Sequence, residues 1–174
     1  NKLIDLCNQL YRFTDAGIHL DTLAARNELT FEKLLLQTKY FIHRGKFNQA
    51  QLNLTVAGAL YPYLSETVVD YTGRMHLLSR NYKVSLASYQ ELLKLYPKNS
   101  CVMYSISRIY ALQKNKSKSL EWLRKAVNAG FNYGWVLKFD PAIESLRNTS
   151  GYKEIMKQKM KKYPKPSNIY KRKS

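Results

Sequence analysis

Three cations recur at nearly one interval in this 174-residue chain: Lys39, Arg74 and Arg108, separated by 35 and then 34 residues. Cations repeated in register are suited to binding a carboxylate, a phosphate or an acidic peptide, and arginine can do so through two parallel hydrogen bonds. Other chemistry is poorly provided for. His19, His43 and His76 have no metal-ligand companions nearby and no HExxH spacing. There is no GxSxG elbow and no glycine-rich phosphate loop of the GxxxxGK[ST] or GxGxxG kind. Asp70, Glu91 and Glu144 fall on different elements, with no reason to form an acid–base pair. The expectation is a chain without a catalytic centre or a cofactor.

Cys7 and Cys101 form neither a disulfide framework nor a zinc site, and are expected to be two buried thiols. The net charge is +17, from 29 basic and 12 acidic side chains. Residues 152–174 hold nine of the bases and one acid, and supply +8 of that charge. Such a field favours acidic partners, although lysine also serves simply to keep a surface soluble. No run approaches the roughly 18 apolar residues of a membrane span, and no signal peptide is visible. The chain opens at Asn1 rather than Met, which reads as a trimmed or processed terminus. The compartment stays open between cytoplasm and periplasm or envelope, and so does the oligomeric state.

The elements that must carry these cations are helical. Glycine and proline are scarce, at 7 and 5, which argues against an all-β fold built from many tight turns. Apolar periodicity predicts three helix pairs, at 31–64, 66–99 and 100–133. In the first, Thr30 is the expected N-cap, Arg44-Gly45-Lys46 the turn and Pro62 the stop. In the second, Ser65 is the expected cap, Arg80-Asn81 the turn and Pro97 the stop. The third turns at Lys114-Asn115 and ends at Gly130 as a helix C-cap. Small residues recur where paired helices would cross: Thr38, Gly73 and Ser107 in the first helices, Ala50, Ser85 and Ser119 in the second. A larger side chain follows four residues later at Leu54, Tyr89 and Leu123.

This pattern resembles the tetratricopeptide repeat, an antiparallel helix pair of 34 residues. Leu34, Val69 and Met103 stand where that family often has tryptophan, and Phe131 stands where the third proline would be. The stretch 126–156, with its Ala-rich helix ending in glycine, aromatic linker, Asp140-Pro141 and Leu146-Arg147, resembles the closing segment of many bacterial arrays of this family. Asp140 would cap a helix there. Thr149 or Ser150 would cap the last one. Ile143, Leu146, Tyr152, Ile155 and Met156 would cover the final repeat, with Trp135 and Phe139 in the corner.

The resemblance implies an all-α fold: a right-handed α-solenoid of about three repeats (31–133) with helical caps at 1–30 and 134–156, followed by a basic tail or linker at 157–174. It implies a non-catalytic scaffold that binds a peptide or partner protein in a concave groove. Lys39, Asp70, Arg74, Tyr104 and Arg108 would be the partner-binding residues, with Glu32, Leu35, Leu77, Cys101 and Ala111 beside them. The lysine and asparagine clamp of chaperone-binding relatives is not matched, because Leu35, Asp70 and Tyr104 take those places. Two other readings stand beside this one. A basic domain could contact nucleic acid or an anionic surface through its tail. A docking module could serve an enzyme domain outside this chain.

Overall fold

The computed structural model describes residues 29–158, and within them the fold is all-α, with helices following one another through short turns. The chain divides into two compact units between Lys94 and Leu95. Residues 1–28 of the N-terminal cap expected at 1–30, and the expected tail beyond Gln158, lie outside the described residues. Among the described residues, no helix is long and apolar enough to cross a membrane.

The first unit contains α1 (Phe31–His43) and α2 (Phe47–Leu60), a 3-10 turn at Pro62–Leu64, then α3 (Ser65–Leu78) and α4 (Tyr82–Leu95) up to its last residue. Thr30 caps α1 by accepting from the Lys33 N–H. Ser65 does not cap α3. It is already helical, at φ −54° and ψ −35°, and Leu64 takes the cap position. Pro62 starts the 3-10 turn that leads straight into α3, so no extended residue is left for Ser65 to be.

The second unit contains α5 (Ser100–Leu112), α6 (Lys116–Asn128), α7 (Gly134–Phe139), a 3-10 segment at Pro141–Leu146 and α8 (Ser150–Met156). Asn99 caps α5, Asn115 caps α6 and Thr149 caps α8, each through its side-chain oxygen. Asp140 also caps as expected, but the element it starts is the 3-10 segment, where its carboxylate accepts from the Ala142 N–H at 2.8 Å.

The three helix pairs repeat one another in backbone detail. Gly45, Arg80 and Lys114 each leave their first helix in the left-handed region, at φ 68°, 61° and 62°. The following residue then donates back across the turn: Lys46 to the Phe41 carbonyl, Asn81 to His76, and Asn115 to Tyr110, at 2.8, 2.8 and 2.9 Å. This double-bonded helix ending satisfies carbonyls that would otherwise lack partners. It turns the chain sharply enough for the second helix to pack back on the first.

The crossings repeat as well. Thr38 and Ala50, Gly73 and Ser85, and Ser107 and Ser119 are all buried. Buried hydroxyls there are satisfied locally. Ser85 donates to the Gly73 carbonyl at 2.8 Å, while Ser107 and Ser119 each donate to the other's carbonyl at 2.8 Å. Leu54, Tyr89 and Leu123 fill the next layer at 1%, 1% and 0% exposure, so one packing plan serves all three pairs.

The closing segment of the second unit inserts Leu137, Ile143 and Leu146, all fully buried, into a core shared with Leu123, Phe131, Tyr152 and Ile155. Phe139, expected in the corner, is instead 73% exposed. On a helix as short as α7, Gly134 and Leu137 define the buried side, and Phe139 falls off it.

Candidate functional site

In the first unit, the helix face carrying Lys39 meets the face carrying Arg74 at one aromatic ring. The Lys39 ammonium lies 5.9 Å, and the Arg74 guanidinium 5.1 Å, from the centroid of Tyr71. Tyr71 packs against a core of Ile42, Ala50, Leu54 and Met75, which fixes the ring's position. Tyr71 and Lys39 are half-buried and Arg74 is exposed, and each cation over the ring is worth about 0.5–2 kcal/mol. Arg74 also pairs with Asp70 one turn back, at 2.8 Å. The Arg74 side chain is 57% exposed, and an open pair of this kind contributes only a few tenths of a kcal/mol. Asp70 therefore orients the guanidinium without locking it away, and an incoming carboxylate can compete for it.

In the second unit, the equivalent position is built differently. Asp140 Oδ2 accepts from the Tyr104 hydroxyl at 2.7 Å and lies 2.8 Å from Arg108 Nε. That second contact is an ion contact off the hydrogen-bond line. The other carboxylate oxygen caps the 3-10 segment, and Arg147 donates to the Asp140 main-chain carbonyl at 2.8 Å. The Asp140 side chain is only 10% exposed. Tyr104 is held between this carboxylate and the ring of Phe131, stacked on it at 4.3 Å. Burial first, then the adjacent Asp140 charge and its hydrogen bond, push the Tyr104 hydroxyl well above the ordinary tyrosine range. It remains a proton donor, fixed on the chain's own aspartate.

The expected site residues thus fall into two groups. Lys39, Asp70 and Arg74 gather around Tyr71 in the first unit, and Tyr104 and Arg108 gather on Asp140 in the second. Two neighbours expected beside them are core residues instead: Leu77 and Ala111 are 4% and 5% exposed. Cys101 is exposed rather than buried. It sits in the first turn of α5, where its N–H is held by the Asn99 cap. Two participants were not foreseen. Tyr71 carried a signal, since it sits one turn before the interval-matched cation. Asp140 carried none, because nothing in the sequence ties it to a tyrosine 36 residues earlier.

Among the described residues, no three His, Cys, Asp or Glu side chains come together in a way that could hold a metal ion. No family model matches the chain, and no curated protein matches it.

Proposed function

We propose that this chain is a non-catalytic protein-interaction module of the tetratricopeptide type, in which α1 and α3 of the first unit present the binding surface. The observation that carries the reading is the convergence of Lys39 and Arg74 on the ring of Tyr71. Two cations beside a fixed aromatic suit an acidic peptide that also offers an apolar side chain. The repeated turn and crossing geometry of the three pairs supports the repeat class, and the exposure of Arg74 supports its availability. Arg108 and Tyr104 take a different part in this reading, since their acidic partner is already the chain's own Asp140.

The test is selection of binding peptides from a random displayed library against the whole chain. Enriched sequences should be acidic, and Lys39→Ala with Arg74→Ala should weaken the selected peptide by about tenfold or more, as loss of charge-assisted contacts does. Selection of neutral or basic peptides, or unchanged affinity in the double variant, would overturn the assignment of the surface.

A further inference from the structure

The outer face of α6 carries a row of cations that the peptide-binding reading leaves unused. Lys118 and Lys125 lie seven residues apart, which puts them on one side of α6, and Lys114 stands in the turn just before that helix. All three are exposed, as are Arg124, Lys153 and Lys157. Arg124 joins the row to α8 by pairing with Glu154 at 3.2 Å, and Gly151 of α8 packs close to Leu120. The two faces therefore form one surface within the second unit. Lys118 lies over the ring of Tyr110 at 5.4 Å and Lys125 over Trp122 at 4.3 Å, so both ammonium groups are steered by their neighbours. The nearby carboxylates are Glu121, paired with Lys125 at 2.7 Å, and Glu154. Six cations against two carboxylates leave a strong positive excess. The sequence after Gln158 adds seven basic residues and no acidic one.

We propose that this surface binds the phosphate backbone of double-stranded nucleic acid without reading its sequence. The choice of occupant follows from what the face lacks. Its outward positions are Lys114, Ser117, Lys118, Glu121, Arg124, Lys125 and Asn128, with no exposed apolar side chain among them. A protein interface draws its affinity from buried aromatic and aliphatic anchors, and durable membrane attachment adds inserted apolar groups to charge. A phosphodiester duplex requires neither. Its affinity comes from cations displacing condensed counterions, and hydroxyl and amide side chains such as Ser117 and Asn128 suit phosphate oxygens.

The experiment measures fluorescence anisotropy of a labelled short DNA duplex of arbitrary sequence with the full chain, from about 50 to about 200 mM salt. The variant is Lys114→Gln, Lys118→Gln and Lys125→Gln together, all at exposed positions, with the circular dichroism spectrum and melting curve checked for an intact fold. Wild type should bind with a steep salt dependence that is the same for unrelated duplex sequences. The triple variant should lose affinity at every salt concentration, and its log–log salt slope should shrink by about 2.7, near 0.9 for each lost phosphate contact. No binding at the low-salt end overturns the proposal. So does an unchanged slope in the variant, which would assign binding to the basic sequence after Gln158. Phosphatidylserine vesicles form a parallel arm: if the chain binds vesicles and not the duplex, and the variant loses that binding, the surface is a membrane one and the proposal is wrong.

Discussion

Replacing Gly73 with alanine tests the packing plan at its tightest point. A Cβ built on Gly73 would lie 3.0, 3.1 and 3.2 Å from three ring atoms of Tyr89. Carbon atoms sit comfortably at about 3.5–4.0 Å, so the ring would have to withdraw by about half an ångström. Tyr89 is 1% exposed, and Ser85 ties the same two helices together at the Gly73 carbonyl, which leaves little room to yield. Overpacking of this kind costs about 1–3 kcal/mol. Against it stands the gain of about 0.5–1 kcal/mol from removing a glycine in a helix interior. The net expectation is a loss of about 1 kcal/mol.

Gly58 supplies the control. Its Cβ would meet only a Val68 methyl, at 3.8 Å, so Gly58→Ala should stabilise by about 0.5–1 kcal/mol. In a Tyr89→Leu background the Gly73→Ala change should also reverse sign. That gives a coupling of about 1.5 kcal/mol between the two positions, within the range for residues in contact. Urea unfolding followed by circular dichroism measures all of these. If Gly73→Ala stabilises as much as Gly58→Ala, or if the coupling is absent, the close crossing of α3 and α4 is not what that glycine is for.

Three further outcomes follow from the geometry. Gly45 has φ 68° and nothing near its absent Cβ, so Gly45→Ala should cost about 1 kcal/mol from backbone strain alone, while Arg80→Gly at the equivalent φ of 61° should gain about 0.5 kcal/mol after the glycine's extra unfolded-state freedom is subtracted; urea midpoints report both. The Tyr104 hydroxyl titrates higher in the folded than in the unfolded chain, so its contribution is complete below the unfolded value of about 10 and is lost as pH rises beyond it; urea midpoints measured from about pH 9 upward should fall less steeply in Tyr104→Phe than in wild type. Asp140→Ala removes the cap of the 3-10 segment and the partner of Tyr104 and Arg108 together, and should cost about 2–4 kcal/mol; Asp140→Asn keeps an oxygen for the Ala142 N–H and should cost less, a difference that thermal melting will show.

Much of this fold could be read in advance because its determinants are local. A turn at Arg44-Gly45-Lys46, a small residue at Thr38, Gly73 or Ser107, and a large one at Leu54, Tyr89 or Leu123 each follow from the needs of a single helix pair, and all stand where the pattern put them. The misplaced cap at Ser65 was also a local matter, decided by a 3-10 turn that propensity does not separate from the first turn of a helix. Arg80 and Lys114 show the limit from another side. Both adopt a backbone region that favours glycine, and only their alignment with Gly45 gave notice of it. The closing segment was legible in its apolar residues, Ile143 and Leu146, since burial is a property of composition. It was not legible in Phe139, whose exposure depends on how few turns α7 makes.

Equal spacing in sequence guarantees an equal place on the helix, not equal chemistry. Lys39, Arg74 and Arg108 occupy one register position, yet their surroundings differ in kind. Lys39 and Arg74 share an aromatic ring, and the carboxylate beside Arg74 comes from its own helix, in an exposed pair of small energy. Arg108 meets a carboxylate delivered by the closing segment, largely withdrawn from water and held also by a tyrosine hydroxyl and a main-chain N–H. Releasing Asp140 from Arg108 would undo a cap and disturb a core containing Ile143 and Leu146, both fully buried. The cation at this register position is thus left exposed in Arg74, whose counter-charge is weakly held, and is structural in Arg108, whose counter-charge also caps the 3-10 segment. In the proposed interaction module, specificity for an acidic partner would then rest on the first unit, while the second unit turns that chemistry inward to close its own core.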